Sequence, residues 1–149
     1  MIDGVEVRKL KVHSDGRGRL MEIFRVSDSG VGPQQVYMTT AYEGTVKDKD
    51  NFHMHKRQTD FFTCIKGVMK LVLVDSRAGS GTKGEINEFK IGEDEPRMIK
   101  IPNGVLHAFK SVKGEAIVIN CIDYEYNRSD PDEFRVKNTF YDWDKLCTL

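Results

Sequence analysis

Three of the four histidines in this chain lie in two short blocks of sequence. The first block is Phe52-His53-Met54-His55, followed by Asp60 and Gly67, and the second is Ile101-Pro102-Asn103-Gly104-Val105-Leu106-His107. Because side chains alternate between the two faces of an extended strand, His53 and His55 point the same way. Neutral imidazoles with a carboxylate suit a transition metal, and an imidazole is also a base near neutral pH. The blocks therefore predict a functional pocket.

The two blocks resemble the two motifs of the cupin superfamily, with Asp60 at the position where cupins usually carry glutamate. This resemblance implies an all-β fold: a double-stranded β-helix, or jelly-roll, barrel formed by residues 1–149 as a single domain. It also implies that His53, His55, His107 and Asp60 meet at the mouth of the barrel, because such residues come from paired strands that line its interior.

Short runs of β-forming residues, separated by turn signals, independently favour a sandwich or barrel. The clearest runs are residues 35–40, 61–65, 68–74, 98–101 and 116–122. Lys66-Gly67 lies between two of them and predicts a tight hairpin. The segment from Asp130 to Trp143 predicts a helical turn or a strap across the barrel. Asn120 interrupts an apolar run and needs a partner, either structural or in the cavity.

Composition narrows the functional class. The 149 residues include 23 basic and 23 acidic side chains, so no basic excess suggests a nucleic-acid surface. No run is long enough for a membrane span, and residues 1–5 lack the cationic start and the apolar stretch that are typical of a signal peptide. Cys64 and Cys121 lie in apolar runs, as buried cysteines do, and Cys147 has no neighbouring base. These features predict a cytoplasmic enzyme or binding protein.

Along nearly its whole length the chain resembles the dTDP-4-dehydrorhamnose 3,5-epimerase family. The matching segments are Asp15–Glu22, Gln35 with the strand after it, His53, Ile101–Phe109, and the ending Tyr124-Glu125-Tyr126, Asp130-Pro131 and Trp143. The resemblance implies proton abstraction beside the keto group of a nucleotide-linked sugar. It also implies that the reaction needs no cofactor.

Residue roles follow from the same resemblance. His53 would be the base, His55 or His107 would orient it or stabilise the enolate, and Arg17 would bind the diphosphate through its forked guanidinium. Other implied pocket residues are Glu22, Gln35, Tyr37, Asn120 and Tyr126. The segment from Met1 to Lys11 reads as an edge strand, and the resemblance implies a homodimer formed through it.

Four positions depart from the family pattern. Asp50 replaces an arginine, Asp60 aligns with a lysine, and Asn120 aligns with the catalytic tyrosine. The aspartate that pairs with the catalytic histidine has no secure counterpart, and Asn138 lies nearest to it. Two basic groups therefore become acids, and the usual proton donor is missing.

Three interpretations stay open from the sequence. The first is a nucleotide-sugar epimerase or isomerase with altered specificity, in which Asp60 orients His53 or His55; the Phe-His-x-His pattern also resembles sugar 3,4-ketoisomerases of the same superfamily. The second is a metal cupin that holds a divalent transition metal through His53, His55, Asp60 and His107. The third is a binding domain that keeps the pocket without the chemistry.

Overall fold

The computed structural model of the protein describes residues 1–144. The strands, in chain order, are β1 (Glu6–Lys9), β2 (Val12–Asp15), β3 (Gly18–Met21), β4 (Gln35–Ala41), β5 (Val46–Lys47), β6 (Asn51–Met54), β7 (Asp60–Asp75), β8 (Ile86–Gly92), β9 (Arg97–Ile101), β10 (Val105–Ile122) and β11 (Phe134–Lys137), and one short helix, α1, spans Val26–Ser29. The all-β jelly-roll prediction is confirmed.

Two long antiparallel strands, β7 and β10, organise the molecule. Each bends near its middle at a glycine with positive φ: Gly67 in β7 (68°) and Gly114 in β10 (65°). A Cβ atom at Gly67 would lie 2.4 Å from the carbonyl oxygen of Glu115, so only glycine fits this crossing. The tight hairpin predicted at Lys66-Gly67 is wrong. The chain bends there and continues, because β7 pairs with β10 on both sides of the bend.

The nine barrel strands form one continuous hydrogen-bonded sheet, which the bends fold into two facing sheets. By the pairing registers, one of these has the order β1-β9-β7-β10-β4, and the other places β8, β7, β10, β6 and β11 side by side, with β5 also on β10. Their inner faces pack together: Phe62 and Val118 of the first sheet share one buried cluster with Leu73 and Phe109 of the second. Every second residue along a strand points to the same face. The residues an even number of positions from these four therefore also face the barrel interior.

The C-terminal segment crosses the outer face of the second sheet. Phe52 points outward from β6 and stacks on Trp143 with ring centroids 5.7 Å apart, in a buried cluster that also contains Val72 and Leu106. This part of the chain is the predicted strap, and it includes strand β11 in place of a helical turn.

Several smaller predictions have clear outcomes. Cys64 and Cys121 are buried free thiols, as expected, and Cys147 lies outside the described residues. The N-terminal segment contributes β1, which pairs with β9 at the border of its sheet. No helix within residues 1–144 is long and apolar enough to cross a membrane.

Candidate active site

The three predicted histidines meet inside the barrel. His53 on β6 and His107 on β10 are cross-strand partners, and their ring centroids lie 4.1 Å apart. His55 follows β6 directly, on the same side as His53, and its ring lies 5.4 Å from that of His53 and 5.6 Å from that of His107. One possible ligand atom from each ring lies within 4.8 Å of those of the other two. The alternation of the strands therefore produces the convergence that the sequence predicts.

Each imidazole has an oxygen atom beside its Nδ1. His107 Nδ1 lies 3.1 Å from the carbonyl oxygen of Val105, and His55 Nδ1 makes a short contact with the carbonyl oxygen of Asp132. Because a carbonyl oxygen only accepts, the Nδ1 atoms of His55 and His107 carry the hydrogen. In the neutral rings, the Nε2 atoms then keep their lone pairs.

Asp60 lies beside these two Nε2 atoms. Its Oδ2 is 3.5 Å from His55 Nε2 and 3.7 Å from His107 Nε2, and the carboxyl group is buried. Burial raises the pKa of Asp60, and burial, followed by the charges of the other two histidines, lowers the pKa of His107 well below its usual value. The raised pKa of Asp60 favours a protonated carboxyl group, and the lowered pKa of His107 favours a neutral imidazole beside it.

The third imidazole has a carboxylate partner. His53 Nδ1 lies 3.1 Å from Oδ2 of Asp48, although the angle is not that of a straight hydrogen bond. Asp48 adopts φ 63°, the left-handed conformation that Asp and Asn tolerate better than most residues. Arg135 of β11 donates to the other oxygen of Asp48 at 2.7 Å. The interaction with His53, with help from Arg135, lowers the pKa of Asp48 to about 2.

Asp48 is the site residue that the sequence analysis missed. The sequence analysis had named Asn138 as the residue nearest to the family's aspartate. In the structure, the Asn138 side chain bonds to the strap instead: its Oδ1 accepts from the Tyr141 amide at 3.0 Å, and its Nδ2 donates to the Tyr141 carbonyl at 2.9 Å. The available signal was the Lys47-Asp48-Lys49 turn just before the histidine block, because aspartate is favoured in turns.

Asn120 links the histidine cluster to strand β4. Its Nδ2 donates to Oδ1 of Asp60 at 2.7 Å and to the hydroxyl of Tyr37 at 2.8 Å, while its Oδ1 accepts from the Phe61 amide at 3.0 Å. Gln58 donates to the same Asp60 oxygen at 2.7 Å. Both roles that the sequence left open for Asn120 are therefore present. Its side chain has buried hydrogen-bond partners in Phe61 and Asp60, and it also bonds to Tyr37, which lines the cavity.

A cavity of about 260 Å³ opens over this cluster. It is lined by Gln35, Tyr37, His53, His55, Gln58, Ile122, Tyr124, Glu125, Tyr126, Asn127, Asp132 and Glu133. Gln35 accepts a hydrogen bond from the Tyr126 amide at 2.8 Å, which ties β4 to the segment after β10. A larger hollow of about 710 Å³ near Phe89 contains no histidine. We therefore take the smaller cavity as the candidate active site, because it contains the histidines that could act as bases.

Residues 1–145 match the dTDP-4-dehydrorhamnose 3,5-epimerase family. The chain belongs to this family. It is 38% identical over 139 residues to the spore coat polysaccharide biosynthesis protein SpsL of Bacillus subtilis, which covers 91% of this chain and 89% of SpsL. The probable low-salt glycan biosynthesis epimerase Agl13 of Haloferax volcanii is 37% identical over 139 residues, covering 91% of this chain and 87% of Agl13. The crystal structure of dTDP-4-dehydrorhamnose 3,5-epimerase from Sulfolobus tokodaii superposes with a TM-score of 0.84 at 27% identity, over 95% of this chain and 82% of that chain.

Two of the predicted site residues, Arg17 and Glu22, lie away from the cavity of their own chain. Arg17 is at the turn of the β2–β3 hairpin, where its side chain is 91% exposed and pairs with Asp15 at 2.7 Å. Glu22 follows the hairpin and pairs with Arg25 at 2.5 Å. Strands β2 and β3 pair only with each other among the described strands, so this hairpin is not part of the barrel's hydrogen-bonded sheet, although Arg19 pairs with Glu93 after β8 at 3.2 Å. Binding roles for Arg17 and Glu22 stay predictions.

Proposed function

We propose that the protein is an isomerase that epimerises a dTDP-4-keto-6-deoxy-hexose, at one or both carbons beside the keto group. The pairing of His53 with Asp48 at the cavity carries this proposal. In this proposal Nε2 of His53 removes the proton from the carbon next to the keto group, and Asp48 stabilises the imidazolium that forms. Membership of the epimerase family supports the same chemistry.

The keto oxygen gains negative charge as the proton leaves, and it needs a donor. We assign that role to the proton that the buried Asp60 carboxyl group holds beside His55 and His107. Asp60 accepts hydrogen bonds from Gln58 and Asn120 on its other oxygen, so the carboxyl group is fixed where it can hold or release this proton.

The diphosphate needs a cation that one chain does not provide at this cavity. Within residues 1–144, the cavity lining contains no lysine or arginine, and it includes Glu125, Asp132 and Glu133. A homodimer in which the exposed β2–β3 hairpin reaches the partner's cavity would bring Arg17 to the diphosphate. We include this homodimer, and a cytoplasmic location, in the proposal.

Deuterium exchange tests the proposed function. Wild-type protein in heavy water should incorporate deuterium at C3 or C5 of the dTDP-4-keto-6-deoxy sugar, even where net epimerisation is slow. His53→Ala should lose exchange by about 10²–10⁴-fold while dTDP still raises its melting temperature. Exchange at one carbon only would indicate a mono-epimerase or ketoisomerase. Wild-type protein that binds dTDP without any exchange would instead be a binding domain.

The geometry also supports a second candidate, a metal-dependent cupin. The Nδ1 atoms of His53, His55 and His107 all lie beside oxygen atoms, the usual arrangement behind metal-bound imidazoles, and His107 Nε2 is buried without a hydrogen-bond partner among the described residues. Together with Asp60 these residues fit a divalent transition metal, which would polarise the keto oxygen. We favour the cofactor-free reaction, and elemental analysis separates the two candidates.

A further inference from the structure

We propose that Tyr37 is the acid that returns the proton to the sugar, on the face opposite His53. This inference rests on the proposed function and adds a second catalytic residue to it. An inversion needs a base on one side of the planar enolate and a proton donor on the other. The structure provides a phenol in the position that this second role requires.

Tyr37 and His53 come from opposite walls of the barrel. Tyr37 lies on β4 of the first sheet, where its ladder partner is Asn120, and His53 lies on β6 of the second sheet, where its partner is His107. Both side chains line the same cavity. Ala41, which has the same parity as Tyr37 on β4, belongs to the buried cluster between the sheets. A sugar ring bound in this cavity would therefore have the imidazole on one side and the phenol on the other.

The hydrogen-bond network fixes the direction of the Tyr37 hydroxyl. The amide of Asn120 is locked, because its oxygen accepts from the Phe61 amide and its nitrogen donates to Asp60. The same nitrogen donates to the phenol oxygen at 2.8 Å. Tyr37 is thus the acceptor in this bond, and among the described residues its own hydrogen has no acceptor. That hydrogen is free to point into the cavity.

The environment keeps this hydrogen on the phenol. Burial raises the pKa of Tyr37 to about 12. The group therefore enters the reaction protonated across the physiological range. The carbon of an enolate is a strong enough base to take the proton, and the hydrogen bond from Asn120 stabilises the phenolate that remains.

The other phenols of the cavity fit this role less well. Tyr126 is 56% exposed, against 38% for Tyr37, and its contact with Gln35 uses the backbone amide and leaves the hydroxyl unoriented. Tyr124 packs against the guanidinium of Arg57, 4.7 Å from the ring centroid. Within residues 1–144, no side-chain hydrogen bond orients either hydroxyl, whereas Asn120 holds that of Tyr37.

The step balances in protons and electrons. His53 Nε2 takes the carbon-bound proton, the electron pair of the C–H bond forms the C=C bond of the enolate, and the π pair of the C=O bond moves to the keto oxygen. The C=O bond then forms again, the C=C pair makes a new C–H bond with the Tyr37 proton on the opposite face, and the O–H pair stays on the phenolate oxygen. The imidazolium gives its proton to water and the phenolate takes one from water, which resets the site.

The test compares inversion with exchange in heavy water, using dTDP-4-keto-6-deoxy-glucose as the probe. Tyr37→Phe should lose inversion by about 10²–10⁴-fold. His53 still abstracts and returns the proton on its own face, so deuterium uptake with retained configuration should stay within about tenfold of the wild-type rate. Tyr42→Phe is the matched control, because Tyr42 is 75% exposed just beyond β4, and it should behave like wild type.

The outcomes distinguish this inference from the proposed function. Wild-type protein without exchange or inversion would overturn the proposed function and the inference with it. An active wild type together with a Tyr37→Phe variant that inverts normally, or that loses exchange and inversion equally, would overturn the role of Tyr37 alone. If the variant fails to melt cooperatively or to bind dTDP, 3-fluorotyrosine at position 37 replaces it. This more acidic phenol should move the alkaline limit of inversion to lower pH without moving that of exchange, and an unmoved limit would contradict the inference.

Discussion

His53 Nδ1 and Asp48 Oδ2 lie 3.1 Å apart, although Asp48 belongs to the turn before β6 and not to the C-terminal segment. Arg135 of β11 holds the other oxygen of Asp48 at 2.7 Å. The C-terminal segment therefore still helps to orient the proposed base, through an arginine that fixes the carboxylate. The pair is part of one chain, so it forms without a partner subunit.

Replacement of Asp48 should slow the reaction without abolishing binding. Asp48→Asn removes the charge that stabilises the His53 imidazolium, and loss of the carboxylate behind a catalytic histidine costs up to about 10⁴-fold in kcat. The change should appear in kcat and leave KM nearly unchanged. Asp50→Asn is the matched control, because Asp50 is exposed and its backbone, rather than its carboxylate, meets Asn138. Equal kcat values for the two variants would contradict the pairing role.

Mixing two inactive variants should test whether Arg17 acts on the partner's cavity. Arg17→Ala and His53→Ala, each weak alone, should regain activity when their subunits are exchanged. In a mixed dimer one cavity has both residues intact, so random mixing should restore about a quarter of wild-type activity. A mixture that stays as inactive as its components would contradict the shared site, and a monomeric mass in solution would contradict the dimer itself.

Elemental analysis of the purified protein should find no stoichiometric transition metal. Incubation with a chelator should then leave both deuterium exchange and the melting temperature unchanged. If the metal candidate is correct, the protein should contain close to one metal ion per chain, and His55→Ala should release it. His55 is the best position for this test because it is part of the histidine cluster without being the proposed base.

The sequence predicted the convergence of the histidines better than it predicted the residues around them. Period-two alternation and the two histidine blocks were enough to bring together His53, His55 and His107 with Asp60. The partner of His53 was missed because it depends on a turn with positive φ, which local sequence only suggests. The hairpin at Lys66-Gly67 was predicted wrongly because a glycine with positive φ is found both in bends within a strand and in hairpin turns. Here β7 pairs with β10 on both sides of Gly67, which makes it a bend, and β10 is too distant in sequence for local residues to indicate this pairing.

A buried carboxylate outside the cavity, Asp75, should make the free energy of unfolding depend on pH in the acidic range. Asp75 at the end of β7 accepts hydrogen bonds from Arg77 at 2.8 Å, Ser80 at 2.5 Å and Thr82 at 2.7 Å, and it is 1% exposed. The hydrogen bonds from Arg77, then those from Ser80 and Thr82, hold the pKa of Asp75 well below its usual value. The network fixes the loop between β7 and β8.

The sign of the pH effect follows from linkage. Because the folded state binds the Asp75 proton more weakly than the unfolded chain, the stabilisation is complete above the unfolded pKa, about 3.9, and is lost as the pH falls toward the folded value. Asp75→Asn should therefore lower the free energy of unfolding by about 1–3 kcal/mol at pH 7. The gap from wild type should shrink below about pH 4. Asp94→Asn, at an exposed carboxylate, should show neither effect. Urea denaturation at pH 7 and pH 3 measures both gaps, and a gap that widens in acid would contradict this account of Asp75.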